Sequence, residues 1–335
     1  MHSLHHYALK DALDGPICHS DTGDVHTISN DTRQRSAAVD NAKTARPTVA
    51  VAAAAVGFGF SPYFATRAFD AGIDPIAASF LRILVLFVVL APCAPQLRGW
   101  RRESLIVFAG GAVSMLGFAG YFLALDRAPV AAATVVYYTY PVVVLVLSAI
   151  VWKRPLHARE VAVAATILFG VVLSVGPTGM STSVAIALLP AVAAPIGWAT
   201  FLLVLSGPAA AMPTAPKVFA GAAGGVTVLF PLTLARTGLH IAPMTTDALL
   251  AVTFLTLCTL AIPAALVTWG APLAGDRATG MIGSLEFVVA LAASWTLMGV
   301  PLGTAQFVGA GLVCGGVAVA SRWTAQRSGT RLRSQ

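Results

Sequence analysis

From residue 47 to residue 322 the chain alternates long apolar runs with short junctions marked by charge, Pro or Gly. About 20 apolar residues carry a helix across the roughly 30 Å hydrocarbon layer. Runs of that length predict spans near 48–67, 75–94, 104–123, 129–151, 159–176, 182–205, 216–235, 248–269, 279–298 and 303–322. In hydrocarbon each backbone amide and carbonyl must be paired within its own segment, so the runs are read as helices. The short linkers make each span antiparallel to the next. The predicted fold class is an all-α integral membrane protein of ten transmembrane helices, with its least distinct junction at 207–217, GPAAAMPTAPK.

Composition sharpens this picture. Of 335 residues, 57% are hydrophobic and 10% are charged, against about 25% charged in a soluble domain, and mean hydropathy is +0.80. A water-facing surface cannot be covered at that ratio. The net charge of +7 invites a nucleic-acid partner, but the basic residues form short clusters between apolar runs and read as topology signals. An even number of spans puts both termini on one side. With both termini cytoplasmic, seventeen Lys and Arg fall inside, and only Arg67, Arg127 and Arg236 fall outside. This is the bias of a bacterial inner-membrane protein. Arg82 lies within the second span.

Residues 1–46 are polar, with six Asp and five basic residues, and predict a disordered cytoplasmic tail with no signal peptide. Five of the seven His lie in its first 26 residues, which leaves a metal-binding tail as the lesser alternative. Cys18, Cys93, Cys258 and Cys314 are scattered without CxxC spacing, so neither a metal site nor a disulfide is expected. Residues 323–335 read as a basic cytoplasmic tail.

The fourth and ninth spans end alike. PVVVLVLSAIVWKRPL (Pro141–Leu156) aligns without a gap to FVVALAASWTLMGVPL (Phe287–Leu302). An offset of five spans means that the copies cross in opposite directions, the mark of an inverted repeat as used by secondary carriers. The expected organisation is a 5+5 inverted repeat, with halves at 48–176 and 182–322.

Polar groups within apolar spans supply the candidate chemistry. Glu286 stands about eight residues into the ninth span, roughly 12 Å deep. A carboxylate there faces a cavity or a partner; it either binds a substrate amine or exchanges a proton, or else it clamps two helices as a structural acid. Arg82 lies about 10 Å from the outer end of its span, close enough to snorkel to the headgroups. Its alternative role is an anchor for a substrate carboxylate. Tyr137 and Tyr140 are predicted to share a helix face, with Tyr138 pointing elsewhere, and Pro141 to kink the helix and free the Tyr137 carbonyl. Ser61, Pro62, Tyr63, Tyr121 and Trp198 are weaker candidates for the same pocket. The spacings Gly221–Gly225 and Gly311–Gly315 read as close helix contacts.

The run ALDRAPVAAATVVYYTYPVVVLVLSAIVWKRPL (Ala124–Leu156), with FLRILVLFVVLAP (Phe80–Pro92) and GSLEFVVALAASWTLMGVPL (Gly283–Leu302), resembles the EamA family of the drug/metabolite transporter superfamily. The likeness spans residues 48–322, as two EamA-like halves. It implies a 5+5 inverted-repeat carrier, often an exporter of amino acids or other small metabolites. The family's Thr-Pro of the fourth span corresponds to Tyr140-Pro141, and its Glu-Pro of the ninth to Glu286-Phe287, where the proline is missing and no kink is implied. The family's Gly-Glu after these spans is replaced by Lys153-Arg154 and Gly299-Val300.

The expected function is therefore a secondary active transporter exporting a small metabolite, such as an amino acid or a related amine or drug-like compound, by alternating access. Its partners are a small-molecule substrate, membrane lipids and, through Glu286, protons; no nucleic acid, cofactor or metal is expected, and the oligomeric state is left open. There is no GxxxxGK[ST] sequence to bind a nucleotide. The absence of HExxH and of His within the spans argues against the main alternative, a membrane-embedded enzyme. A non-transporting membrane sensor is the other alternative.

Overall fold

A computed structural model describes residues 46–128, 130–175, 181–238, 240 and 245–333. The N-terminal tail with its His cluster lies outside the described residues. Among the described residues the fold is helical and contains no strand. The helices are α1 (46–59), α2 (Ser61–Asp70), α3 (Pro75–Leu90), α4 (Arg101–Arg127), α5 (Val130–Tyr137), α6 (Tyr140–Trp152) and α7 (Ala158–Val175). After these come α8 (Thr182–Leu188), α9 (Ala193–Ser206), α10 (Thr214–Thr237), α11 (Thr246–Thr256), α12 (Ile262–Ala274), α13 (Asp276–Gly283), α14 (Leu285–Met298) and α15 (Thr304–Arg333).

By length and apolar composition, eight helical stretches among the described residues suffice to cross a membrane. One of them, Pro75–Arg127, is 53 residues long, more than twice what a bilayer needs, and its 3-10 segment Ala91–Trp100 contains an internal Pro95. Large apolar side chains cover the exterior: Ile150 is 67% exposed and Phe169 62%. Water would not support such a surface, whereas lipid does.

Several crossings are interrupted, mostly by proline. Proline lacks an amide hydrogen and suits the first turn of a helix. Pro62 opens α2, Pro141 opens α6 and Pro263 opens α12, the last after a π-helical stretch at Leu257–Ala261. Pro190 lies in the 3-10 turn Leu189–Val192 between α8 and α9. The break between α13 and α14 at Ser284 has no proline. There, Ser284 Oγ donates back to the Gly280 carbonyl at 3.4 Å, a contact that bends helices. The missing proline at Phe287 therefore does not leave the stretch Asp276–Met298 straight.

Close packing rests on small residues, though not all those the spacing singled out. A side chain at Gly111 would strike the backbone of Gly221, one at Gly224 the Phe108 carbonyl, and one at Gly225 Met115, so α4 and α10 meet backbone to backbone. Gly311 and Gly315, by contrast, face open space. The α15 contact runs through Gly309 and Gly316, against Gly170, Ser174 and Ile167 of α7. The i,i+4 spacing was present at both pairs, but helix rotation turned one of them to the exterior.

Candidate functional site

Three helix breaks meet in the interior. Ser61 and Pro62 from the α1/α2 break, Tyr137 and Tyr138 from the α5/α6 break, and Glu286 two residues beyond the α13/α14 break line one cavity. Arg82 of α3, Phe118 and Tyr121 of α4, and Phe58 of α1 complete its wall. It measures about 10 Å³, room for roughly one water.

Glu286 is 4% exposed, with the Tyr137 and Tyr138 hydroxyls within hydrogen-bonding reach of its carboxylate. The Tyr121 hydroxyl pairs with Thr134. The rings form a continuous aromatic lattice. Tyr137 lies 5.2 Å from Tyr121, 5.4 Å from Tyr140 and 5.7 Å from Phe118 between centroids, and Tyr138 stands edge-on to Phe287 at 5.2 Å. This lattice fixes the hydroxyls around the carboxylate.

Arg82 is 1% exposed. Its Nη1 donates to Ser61 Oγ at 3.3 Å, and its guanidinium lies 5.3 Å from the ring centroids of both Phe118 and Phe122. Nε has no partner, and among the described residues no carboxylate forms an ion pair with Arg82. A second cavity of about 40 Å³ adjoins the guanidinium and shares Phe58, Arg82 and Phe118 with the first; Trp198, Phe201, Ala222 and Val267 are among its almost wholly apolar walls. The two features differ in weight. An empty apolar void of that size costs about 1 kcal/mol, whereas burying a charge without a close counter-ion costs several kcal/mol. Arg82 is therefore the costlier feature, and a bound anion would offset that cost.

Several sequence expectations are corrected here. Arg82 does not snorkel; the rotation of α3 points it inward. Tyr138 does not point away from the pocket, because the helix stops at Tyr138 and Thr139; the Tyr137 and Tyr140 rings nevertheless stay in contact across the break, at 5.4 Å. Tyr140, fully buried, packs against Gly283, and its hydroxyl lies near Ser284 but not in hydrogen-bonding geometry. Pro141 is buried behind it and lines neither cavity. Tyr63 is half-buried and packs with Phe64 and Arg67, away from both cavities. Trp198 lines only the apolar cavity, 5.4 Å from Phe58 and 6.0 Å from Phe118. Phe58 and Phe118 line both cavities and were not singled out, since a phenylalanine in an apolar run carries no distinguishing signal.

A lipid-facing helical bundle with a carboxylate and a guanidinium buried at its helix breaks defines a polytopic membrane protein with an internal polar site. Residues 47–176 match the EamA-like transporter family. That segment is similar to the EamA-like family, consistent with the drug/metabolite transporter superfamily. Among solved structures, one described only as "Crystal structure of protein" aligns with a TM-score of 0.69 at 20% identity, over 83% of this chain and 98% of that one. At that identity the likeness speaks for the fold alone. No curated protein matches the chain.

Proposed function

We propose that this protein is a secondary active transporter, exporting a small metabolite such as an amino acid or a related amine across a bacterial inner membrane by alternating access. The observation that carries this reading is that Glu286 and Arg82, both buried within apolar crossings, wall one cavity without pairing with each other. A purely structural role would be served by an ion pair. Two opposite charges held apart beside tyrosine hydroxyls instead leave both free to meet a solute, or a proton at Glu286.

The proposed architecture is ten crossings in two inverted halves, 48–176 and 182–322, with both termini cytoplasmic. Dividing Pro75–Arg127 at its 3-10 segment and adding the 18-residue α7 to the eight long apolar stretches gives that count. The packing supports the repeat. Exchanging each crossing for its counterpart five later leaves the pairs α3 with α10, α6 with α13 and α7 with α15 unchanged. The same exchange turns α4 with α9 into α2 with α11, and α6 with α9 into α2 with α14, which are also in contact. Continuing the Pro141–Phe287 register three residues upstream sets Tyr138 against Ser284, so the two helix breaks coincide. Two halves of like packing can rock about a shared site at their junction.

Substrate-resolved efflux from cells overproducing the protein tests class and direction together. Faster loss of one or a few small metabolites than in cells carrying an empty vector supports export, whereas an unchanged profile together with unchanged uptake counts against a carrier.

A further inference from the structure

We infer that the apolar cavity behind Arg82 is a second subsite, and that the transported solute is an organic anion carrying one small aliphatic branch: the anionic group sits on Arg82 and the branch enters the cavity. The inference rests on the transporter reading above and adds the chemistry of what is carried. Three observations place the subsite. The guanidinium borders both cavities and keeps an unpartnered, fully buried Nε. The guanidinium carbon lies over the Phe118 and Phe122 rings, 5.3 Å from each centroid, which restrains the cation beside the cavity, where it can meet a planar anion such as a carboxylate. The space beyond it is bounded by Trp198, Phe201, Ala222, Ala264 and Val267 and offers almost no polar surface.

Size limits the branch. About 40 Å³ is well short of the roughly 150 Å³ that admits benzene in an engineered protein cavity, so a short alkyl group fits and an aromatic ring does not. An amine has no such place beside Arg82. If the solute also carries an amino group, Glu286, across the smaller cavity, is where it would be met.

Trp198 lies in the cavity wall and reports occupancy directly. Titrating the detergent-purified full chain with acetate, propionate, isobutyrate and isovalerate should quench its fluorescence saturably, and Trp198→Phe should abolish the response. Each added carbon should tighten binding about four-fold, from about 0.8 kcal/mol per buried methylene, until the space is filled. Benzoate and isobutylamine should bind at least about ten-fold more weakly than isovalerate. Ala222→Val on α10 and Ala264→Leu on α12, two separate ways of filling the cavity, should each flatten the chain-length dependence. Equal binding of acids and amines, or an unchanged chain-length dependence in monodisperse filled variants, would overturn the inference. Should the filled variants not fold, the acid and amine series on the unmodified protein decides by itself. Branched-acid binding without flux in vesicles would leave the subsite standing and remove the transporter reading. Flux of a solute that ignores the cavity-filling changes would do the reverse.

Discussion

Arg277 Nη1 donates to Glu160 Oε2 at 2.5 Å, joining the start of α13 to the start of α7. The same guanidinium donates to Ser148 Oγ at 3.1 Å and to the carbonyls of Pro155 and Arg154 at 3.1 and 3.2 Å. Beside it Asp276 accepts the Trp152 indole N–H at 3.0 Å. Arg277 thus ties the turn after α6 to the start of α13.

Because both partners are buried, breaking this pair leaves a stranded charge. Arg277→Met is expected to destabilise the protein by about 3–5 kcal/mol, and the double variant Arg277→Met/Glu160→Gln to regain a substantial part of that. Thermal unfolding in detergent measures both. Equal losses in the single and double variants would show that the pair contributes by packing alone.

Asp74 forms a second tie, at the opposite ends of the crossings on the proposed topology. It caps α3 through the amides of Ile76 and Ala77 at 2.8 and 3.3 Å and accepts from Arg236 Nη2 at 2.6 Å. Burial by itself raises its pKa, but the Arg236 guanidinium and the two amides outweigh burial and hold it below the ordinary 3.8. A depressed carboxylate contributes stability above 3.8 that disappears as pH falls through its lower folded value. With both side chains partly exposed, the ion pair itself contributes under about 1 kcal/mol. Melting of wild type against Asp74→Asn should therefore differ by a constant amount above about pH 5, with the difference shrinking as pH falls from about 3.8 through the lower folded value. Asp74→Ala, which also removes the cap, should cost about 1 kcal/mol more.

Gly224 and Gly311 separate packing from propensity. Gly224→Ala drives a methyl into the Phe108 carbonyl and should destabilise by about 1–3 kcal/mol. Gly311→Ala meets only open space and should be neutral or stabilising by up to about 1 kcal/mol. Unfolding midpoints of the two variants in one detergent check this; a Gly224→Ala protein as stable as wild type would mean that α4 and α10 do not touch there.

The crossings were legible because their signal is one of length and apolarity, to which each run contributes some 20 residues. Glu286 was legible for the complementary reason: a carboxylate in such a run stands out. What could not be read was rotation. Depth along the axis gave Arg82 an escape to the headgroups, and only the packing of α3 shows that its side chain turns inward. The same lack of azimuth put Gly311 and Gly315 in a contact and Tyr138 outside the pocket. The break at Ser284 was hidden because serine back-bonding and neighbouring glycines, and not proline, end that helix. Arg277 was counted as one of many cytoplasmic charges, since its partners lie more than 100 residues away in sequence.

The most direct measurement is flux through Glu286→Gln in proteoliposomes, at equal reconstituted amount and equal monodispersity, for the solute that the wild-type protein carries. Glutamine keeps the shape and an acceptor for the tyrosine hydroxyls but can neither carry a charge nor exchange a proton, so flux should fall about ten-fold or more, the equivalent of about 1.4 kcal/mol. Flux equal to wild type would contradict a transport site at Glu286.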